Sequence, residues 1–382
     1  MTTRLIHLDG LQALIDALDR RGFTVLGPTV RDGAVVNARV RRVADLPVGW
    51  GDDQDAAHYR LRRRDDDAVF GFASGAQSAK PVFFPAEELF WRGRRTAEGF
   101  DTEPADPAAD GPYALLGVRS CDLHAVGIHD VVLRDRVHRD GAYAARREDA
   151  FVVAVTCGDP GGTCFCASMD TGPRPRQGHG APYDLALTEL LDGIDGAGHR
   201  FLVEVGTDRG LEVVDEIGAV SAEAEDVERA DRVADRAAGR MGRSLDTAGL
   251  KDLLYASVDS PVWDDVAQRC LACGNCTAVC PTCFCTTVTD LTDLSGDESE
   301  RSRVWDSCFN ADFSHLHGGN VRESTRSRYR QWMTHKLGSW IDQFGMSGCV
   351  GCGRCVTWCP AAIDITEEAA ALRRAAAGED RG

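Results

Sequence analysis

The chain has 382 residues, of which 43% are apolar, so it is long enough to bury the cores of two domains. Its formal charge of −17 excludes a general nucleic-acid binder, because such proteins contact phosphate mainly through Lys and Arg. No apolar run approaches the roughly 20 residues of a membrane-spanning helix, and Met1 to Arg4 are not followed by the apolar segment of a secretion signal. We therefore expect a soluble cytoplasmic protein without a membrane span.

Residues 1–245 are predicted to form a mixed α/β domain. Apolar residues recur at helical spacing in His7–Arg20, whereas Val30–Val40 has the composition of strands interrupted by an Asp-Gly turn. The acidic, proline-containing segment Asp101–Gly111 is predicted to be a loop.

The most informative pattern in this domain is a strand, a helix and a second strand. Tyr113–Val118 and Phe151–Val155 are short apolar runs typical of buried strands, and Asp122–Leu133 lies between them as a helix. Such a βαβ unit makes the two strands parallel, with a right-handed crossover. Two further strands and a charged, solvent-facing helix are predicted at Asp184–Leu190, Arg200–Val205 and Ala222–Arg240.

Fifteen cysteines are too many for chance, and a cytosol that keeps thiols reduced favours metal ligation over disulfides. Eleven of them follow residue 269, and eight of these form two runs of identical spacing, C-x2-C-x2-C-x3-C-P. The first run contains Cys270, Cys273, Cys276 and Cys280, and the second contains Cys349, Cys352, Cys355 and Cys359. This is the spacing of bacterial ferredoxins, in which the fourth cysteine of each run ligates the other cluster.

The chemistry of a [4Fe-4S] cluster explains this spacing. Three closely spaced thiolates hold three corners of the cubane, and Gly274 or Gly353 lets the backbone approach the inorganic sulfides. A zinc ribbon, the main alternative, needs two C-x2-C pairs and has no use for the third cysteine or the C-P ending. The crossed rule predicts one cluster on Cys270, Cys273, Cys276 and Cys359, and a second on Cys349, Cys352, Cys355 and Cys280.

Residues 246–382, which contain both runs, are predicted to be largely helical. Ser260 and Pro261 are typical of a helix start and precede Val262–Arg269, which leads into the first run. Between the runs, Arg322–Gly345 lacks proline and carries apolar residues at helical intervals. This domain resembles the α-helical ferredoxins that serve as electron-carrying subunits, so the expected fold is an α/β or α+β domain followed by a helical dicluster domain.

Four cysteines lie in the first domain. Cys121 and Cys157 follow the two predicted parallel strands, so both fall at the carboxyl edge of the sheet, where open α/β sheets bind ligands. Cys164 and Cys166 follow in a loop that can fold over this edge. Two interpretations remain, a third [4Fe-4S] cluster or a set of small buried apolar side chains.

Cys283, Cys285 and Cys308 lie beside the first run in sequence. They could supply a replacement ligand, pack against a cluster, or form a metal site with a different fourth ligand. We favour packing. His315 and His317 could donate a nitrogen, but a histidine pair in a polar loop is more often exposed than ligating.

Four motifs together resemble one family. They are Gly117-Val-Arg-Ser-Cys121-Asp122, Cys164-Phe-Cys166-Ala-Ser-Met-Asp-Thr-Gly-Pro173, Cys280-Pro-Thr-Cys283-Phe-Cys285 and Cys349-Val-Gly-Cys352-Gly-Arg-Cys355. The family comprises the β subunits of sulfhydrogenase-type, NADP-linked cytosolic [NiFe] hydrogenases and the related A subunit of anaerobic sulfite reductase. The resemblance implies an electron-transfer subunit that docks to a catalytic subunit and to a flavin- and NAD(P)-binding subunit.

The chain itself shows no Gly-x-Gly-x-x-Gly, no Walker loop and no nickel-binding pair of C-x2-C motifs at its two ends. We therefore expect no catalytic residues and no cofactor beyond the clusters. The alternatives are the A subunit of an anaerobic sulfite or sulfur reductase, a stand-alone iron–sulfur reductase of sulfur or sulfite, and a cluster-based sensor. The segment Arg322–Gly345 is basic although the chain as a whole is acidic, and opposite charges on two proteins steer their encounter. It is therefore a candidate surface for docking to a partner, with Arg328 and Arg330 as candidate contacts.

Overall fold

The computed structural model describes residues 2–104, 111–191 and 198–378. The strands are β1 Thr3–His7, β2 Thr24–Arg31, β3 Ala34–Arg39, β4 Trp50–Asp55, β5 His58–Arg63, β6 Glu87–Thr96, β7 Gly99–Pro104, β8 Tyr113–Arg119, β9 Phe151–Val155, β10 Leu185–Leu190, β11 Arg200–Val205, β12 Val220–Ser221, β13 Thr286–Thr292, β14 Glu298–Trp305, β15 His315–Leu316 and β16 Gly319–Asn320. None of the helices in these ranges is long and apolar enough to cross a membrane.

The helices follow the same chain order. They are α1 Leu8–Arg20, α2 Lys80–Phe83, α3 Ser120–His129, α4 Gly141–Asp149, α5 Asp208–Glu216, α6 Ala224–Ala238, α7 Leu250–Ala256, α8 Val262–Arg269, α9 Asn275–Ala278, α10 Thr325–Thr334, α11 Trp340–Phe344, α12 Arg354–Thr357 and α13 Ile365–Ala377. Two π-helical turns, Asp130–Arg134 and His335–Ser339, continue α3 and join α10 to α11.

One eight-stranded sheet organises the N-terminal part, in the order β12-β1-β11-β10-β9-β8-β2-β3. Its centre is parallel, because β2 pairs with β8, β8 with β9 and β9 with β10 in the same direction. The remaining pairs are antiparallel. The predicted βαβ unit is therefore confirmed, and α3 forms part of the connection between β8 and β9.

The core explains why these segments fold as they do. Helix α1 buries Leu11, Leu14 and Leu18, three residues at helical spacing, against the sheet. Strand β9 is buried at every position, which is typical of a central parallel strand covered on both faces. The apolar runs of the sequence thus become the inner strands.

Two local predictions need adjustment. The helix predicted at Asp122–Leu133 begins two residues earlier, at Ser120, so that Cys121 lies in its first turn. The segment Asp101–Gly111, predicted as a loop, begins within strand β7, and its residues 105–110 lie outside the described part of the chain.

The insert between the two cysteine runs is helical only in its second half. Strands β13 and β14 form a hairpin, and β14 pairs antiparallel with β6 from the N-terminal part, giving a four-stranded sheet β13-β14-β6-β7. The sequence analysis missed this hairpin because β13 is polar and mostly exposed, with no apolar face to mark it. Its threonines, which favour strands, were the available signal. The N-terminal and C-terminal parts therefore share a sheet.

Helices α7, α8, α10 and α13 pack around a second core. Trp263, Tyr329 and Trp332 form its aromatic centre, and Leu372 closes it from α13. The predicted helix Val262–Arg269 is confirmed, and α8 ends at the residue before Cys270. This core supports the first cysteine run.

We expect Asp184→Asn to destabilise the N-terminal sheet. The Asp184 carboxylate is buried and accepts hydrogen bonds from Val152 N at 2.8 Å, Thr207 Oγ1 at 2.6 Å and Arg209 Nη2 at 3.0 Å. Removing the charge weakens bonds that join β9, the segment before β10 and α5, at an expected cost of about 1–3 kcal/mol. Urea unfolding followed by circular dichroism measures it. Asp259→Asn, at an exposed position, should leave the midpoint unchanged; equal midpoints for both variants would contradict the role of Asp184.

Candidate metal centres

The two cysteine runs adopt the same backbone conformation. The second residue after the leading cysteine has a left-handed φ, 49° at Ala272 and 63° at Gly351. The fourth residue is left-handed too, with φ of 77° at Gly274 and 76° at Gly353, and each glycine starts a short helix. The repeated left-handed positions turn each loop tightly, so that successive thiols of a run face one volume.

The sulfur atoms in these loops also receive main-chain N–H groups. Ala272 N donates to Cys270 Sγ at 3.4 Å, and Gly351 N donates to Cys349 Sγ at 3.5 Å, which is the equivalent contact in the second run. Ile363 N donates to Cys359 Sγ at 3.4 Å. Hydrogen bonds to ligand sulfur are one of the means by which proteins adjust iron–sulfur clusters.

The first crossed ligand set lines one cavity. Cys270, Cys273, Cys276 and Cys359 all border it, together with an apolar wall made by Phe309, Tyr329, Trp332, Ile363 and Ile365. Burial raises the pKa of Cys276, and the neighbouring charges of Cys270 and Cys359 raise it further. We call this cavity the first site; its four soft thiol donors suit iron–sulfur ligation.

The second crossed set also converges. Burial raises the pKa of Cys355 well above its ordinary value, and the charges of Cys349, Cys352, Cys280 and Cys276 raise it further, so both Cys280 and Cys276 of the first run lie near this thiol. We call this crossed set the second site. Its donors are again four thiols, which fits the same type of cluster.

A lysine and a hydroxyl contact the cysteine that crosses over. Lys336 Nζ donates to Cys280 Sγ at 3.0 Å, and Thr282 Oγ1 lies 3.1 Å from the same sulfur. A hydrogen bond from Cys283, together with the charge of Lys336, lowers the pKa of Cys280 well below its ordinary value despite burial. These contacts favour the thiolate form of Cys280.

A buried ion pair joins the second site to the N-terminal sheet. Arg354 lies between Cys352 and Cys355, and its Nη1 and Nη2 donate to the two carboxylate oxygens of Asp122 at 2.6 and 2.9 Å. Arg354 is 2% exposed and Asp122 is 6% exposed. The sequence analysis did not identify either residue as part of the site; the only signal was the adjacency of Asp122 to Cys121 and of Arg354 to Cys355.

The loop containing Cys164 and Cys166 packs directly on the second run. Phe165 N donates to Gly351 O at 2.9 Å, and Thr171 Oγ1 donates to Val350 O at 2.6 Å. The contact is so close that a Cβ atom at Gly353 would lie 2.5 Å from Thr163 O. The second site is therefore formed on one side by residues of the N-terminal part.

Three of the four N-terminal cysteines, Cys121, Cys164 and Cys166, lie near Cys352. Cys164 Sγ lies 3.8 Å from Cys352 O, and the charge of Cys352 contributes to the raised pKa of Cys121, Cys164 and Cys166. Burial is the largest cause in each case and takes the pKa of Cys164 to about 12. Cys157, whose pKa burial also raises, contributes to the raised pKa of Cys164 and Cys166.

The three cysteines of the insert lie on the other side of Cys280. Cys283 donates to Cys280, and Cys285 and Cys308 share a hydrogen bond. Cys283 and Cys285 border an open cavity with Lys80, Trp305 and Asn310. His315 and His317 are exposed near the β15–β16 turn.

Within residues 2–104, 111–191 and 198–378, no group of three or more His, Cys, Asp or Glu side chains is arranged to hold a single metal ion. A cubane differs from such a site because each thiolate binds its own iron, so its ligands surround a cluster rather than one atom.

Residues 269–363 match a family model described as a 4Fe-4S dicluster domain. Together with the two paired runs, this match makes the chain an iron–sulfur protein of the electron-transfer class with two [4Fe-4S] clusters. The chain is also 37% identical over 265 residues to Sulfhydrogenase 2 subunit beta of Pyrococcus furiosus, an alignment covering 69% of this chain and 74% of that protein. The chain belongs to the sulfhydrogenase β-subunit family, which confirms the resemblance drawn from its motifs.

We expect Arg354→Met to disrupt the second site. The substitution leaves Asp122 buried without its partner, and breaking a buried ion pair in this way costs about 3–5 kcal/mol. Chemical unfolding and iron analysis of the purified protein measure the effect. Arg301→Met is the matched control, because Arg301 makes the same two-bond contact with Asp290 on the exposed hairpin, where it contributes less than about 1 kcal/mol. Equal losses from both variants would show that burial of the Arg354 pair is unimportant.

Gly353→Ala should be more harmful than Gly345→Ala. Both glycines have left-handed φ values, 76° and 74°, so both variants carry the strain of about 1–2 kcal/mol that a Cβ atom imposes. Only the Gly353 variant also places the methyl group against Thr163 O, whereas Gly345 has open space around it. The difference between the two unfolding midpoints isolates the contact. No difference would mean that this loop is not held closely by the N-terminal part.

Proposed function

We propose that this chain carries electrons between a hydrogen-activating catalytic subunit and a flavin- and NAD(P)-binding subunit of a hydrogenase complex. The observation that carries the proposal is the pair of four-cysteine runs, which lie in one chain of the sulfhydrogenase β-subunit family. Cys270, Cys273, Cys276 and Cys359 would hold one [4Fe-4S] cluster, and Cys349, Cys352, Cys355 and Cys280 the other. Such clusters supply one-electron transfer.

The surrounding residues give the two sites different access to solvent. Cys273 is exposed and its neighbour Leu271 is 67% exposed, whereas Cys280 is buried. We infer that the first site exchanges electrons with a partner at the surface near Leu271. The apolar wall of the first site, including Trp332, keeps water from its inner side.

The helix α10 is less suited to docking than its charge implies. Arg328 Nη1 donates to Phe309 O at 2.7 Å, and Arg330 Nη1 donates to Val258 O at 2.9 Å. Both guanidinium groups are therefore held by contacts within the chain, Arg328 at the carbonyl of the buried Phe309 and Arg330 at the carbonyl of the exposed Val258. Reversing their charge would disturb these contacts as well as any partner contact, so the proposal does not rely on them.

The finer assignments are part of the proposal. We propose an N-terminal α/β domain, residues 1–245, followed by a domain of the α-helical ferredoxin type, residues 246–382. A third cluster on Cys121, Cys157, Cys164 and Cys166 stays a prediction. The proximity of these thiols to Cys352 also suits the alternative, in which they pack around the second site.

Anaerobic iron and sulfide analysis tests the proposal. We expect about eight iron atoms per chain with two clusters, and about twelve if the N-terminal set binds a third. Cys164→Ser should lower the count by about four in the second case and leave it unchanged in the first. A colourless protein loaded with zinc would contradict the proposal entirely.

A second measurement distinguishes a carrier from an enzyme. The isolated, cluster-loaded chain should accept electrons from dithionite but show no hydrogen uptake, no NADPH oxidation and no steady-state reduction of sulfite or polysulfide. Steady turnover of any of these by the chain alone, free of other proteins, would favour the stand-alone reductase or hydrogenase instead.

A further inference from the structure

Lysine is rare in this chain. It occurs only at positions 80, 251 and 336, whereas arginine provides the other 40 of the 43 basic residues. Lys251 is partly exposed and pairs with Asp342, but Lys80 and Lys336 are only 4% and 5% exposed. Both buried lysines face the cysteine-rich side of the second site. The two lysines that are buried, Lys80 and Lys336, therefore both lie beside cysteine residues.

The surroundings of Lys336 consist of hydrogen-bond acceptors. Its Nζ lies 3.0 Å from Cys280 Sγ, 3.0 Å from Thr282 Oγ1 and 3.5 Å from Gly348 O. An ammonium group has three donors and no acceptor, so these three partners match it. Thr282 Oγ1 in turn donates to Gly348 O at 2.7 Å, which leaves its lone pairs for the lysine.

The backbone also holds Lys336 in this position. Lys336 lies in the π-helical turn His335–Ser339, a rare conformation that is frequent at functional sites. Its carbonyl oxygen accepts a hydrogen bond from Gly348 N at 2.7 Å, immediately before the second run. Among the described residues, no carboxylate is paired with Lys336, so the counter-charge available to it is the sulfur of Cys280 and its neighbours.

We propose that Lys336 places a fixed positive charge on the second site and thereby raises the reduction potential of the cluster that Cys280 ligates. This inference rests on the proposed ligand sets. Adding an electron makes a thiolate-ligated cluster more negative, and a cation at the ligand sulfur stabilises that reduced form. The charge of Lys336 raises the reduction potential of the first site less, because Lys336 contacts none of its four cysteines directly. The electron would therefore rest preferentially on the second site.

The test is a redox titration of the full, cluster-loaded chain, followed by electron paramagnetic resonance. In Lys336→Met, we expect the midpoint potential of one cluster to fall, with at least a tenfold change in how the electron divides between the sites. For a one-electron couple, tenfold corresponds to about 59 mV. Lys336→Arg, which keeps the charge, should retain most of the potential, and Lys251→Met, which removes a surface charge, should change neither cluster.

Iron content separates the outcomes. If the wild-type chain binds no clusters, the proposed function fails and the inference fails with it. If Lys336→Met binds both clusters and both potentials stay as in the wild type, only the inference is overturned. If Lys336→Met cannot be loaded, Thr282→Val decides the question. Loss of the hydroxyl that orients the ammonium should lower the same potential by a smaller amount, and an unchanged potential would overturn the proposal.

Discussion

The ion pair between Arg354 and Asp122 is the contact on which the second site depends. Ion pairs removed from water are favourable only when the remaining hydrogen-bonding groups are also satisfied. Here Arg354 Nε donates to Gly75 O at 2.7 Å and Nη2 donates to Gln77 O at 3.0 Å, in addition to the two bonds with Asp122. Four bonds from one guanidinium group thus bind the second run to two separate segments of the N-terminal part.

Through this contact, the N-terminal part helps to enclose the second run. In a minimal ferredoxin, the two cysteine runs pack against each other. Here the second run is enclosed by the edge of the sheet, by the loop at Phe165 and by Thr163, which lies close to Gly353. The carboxyl edge of a parallel sheet is where such folds bind ligands. In this chain, that edge receives the cluster-binding loop of the same polypeptide. Cys121, Cys164 and Cys166 lie at this junction, so their burial follows from the packing of the two parts.

How much of the fold and of the two sites could be predicted depends on how far apart in sequence the interacting residues lie. The parallel strands were predictable because β8 and β9 are continuous apolar runs, and the two cysteine loops because their spacing is a local constraint. The hairpin β13–β14 was not, since β13 is polar and β14 pairs with β6, which is far away in sequence. The Arg354–Asp122 pair was equally inaccessible, because a single sequence shows no sign that two distant charges meet.

Buried charge is used differently on the two sides of the second site. On the sheet side, Arg354 faces a carboxylate, so the pair is neutral and mainly fixes position. On the helical side, Lys336 faces sulfur, so its charge is balanced only by the thiolate that it contacts. The planar guanidinium suits the two oxygens of Asp122, and the compact ammonium suits a single sulfur atom. One cation therefore binds the second run to a carboxylate of the N-terminal part, while the other, by our proposal, acts on the electrostatics of the second site.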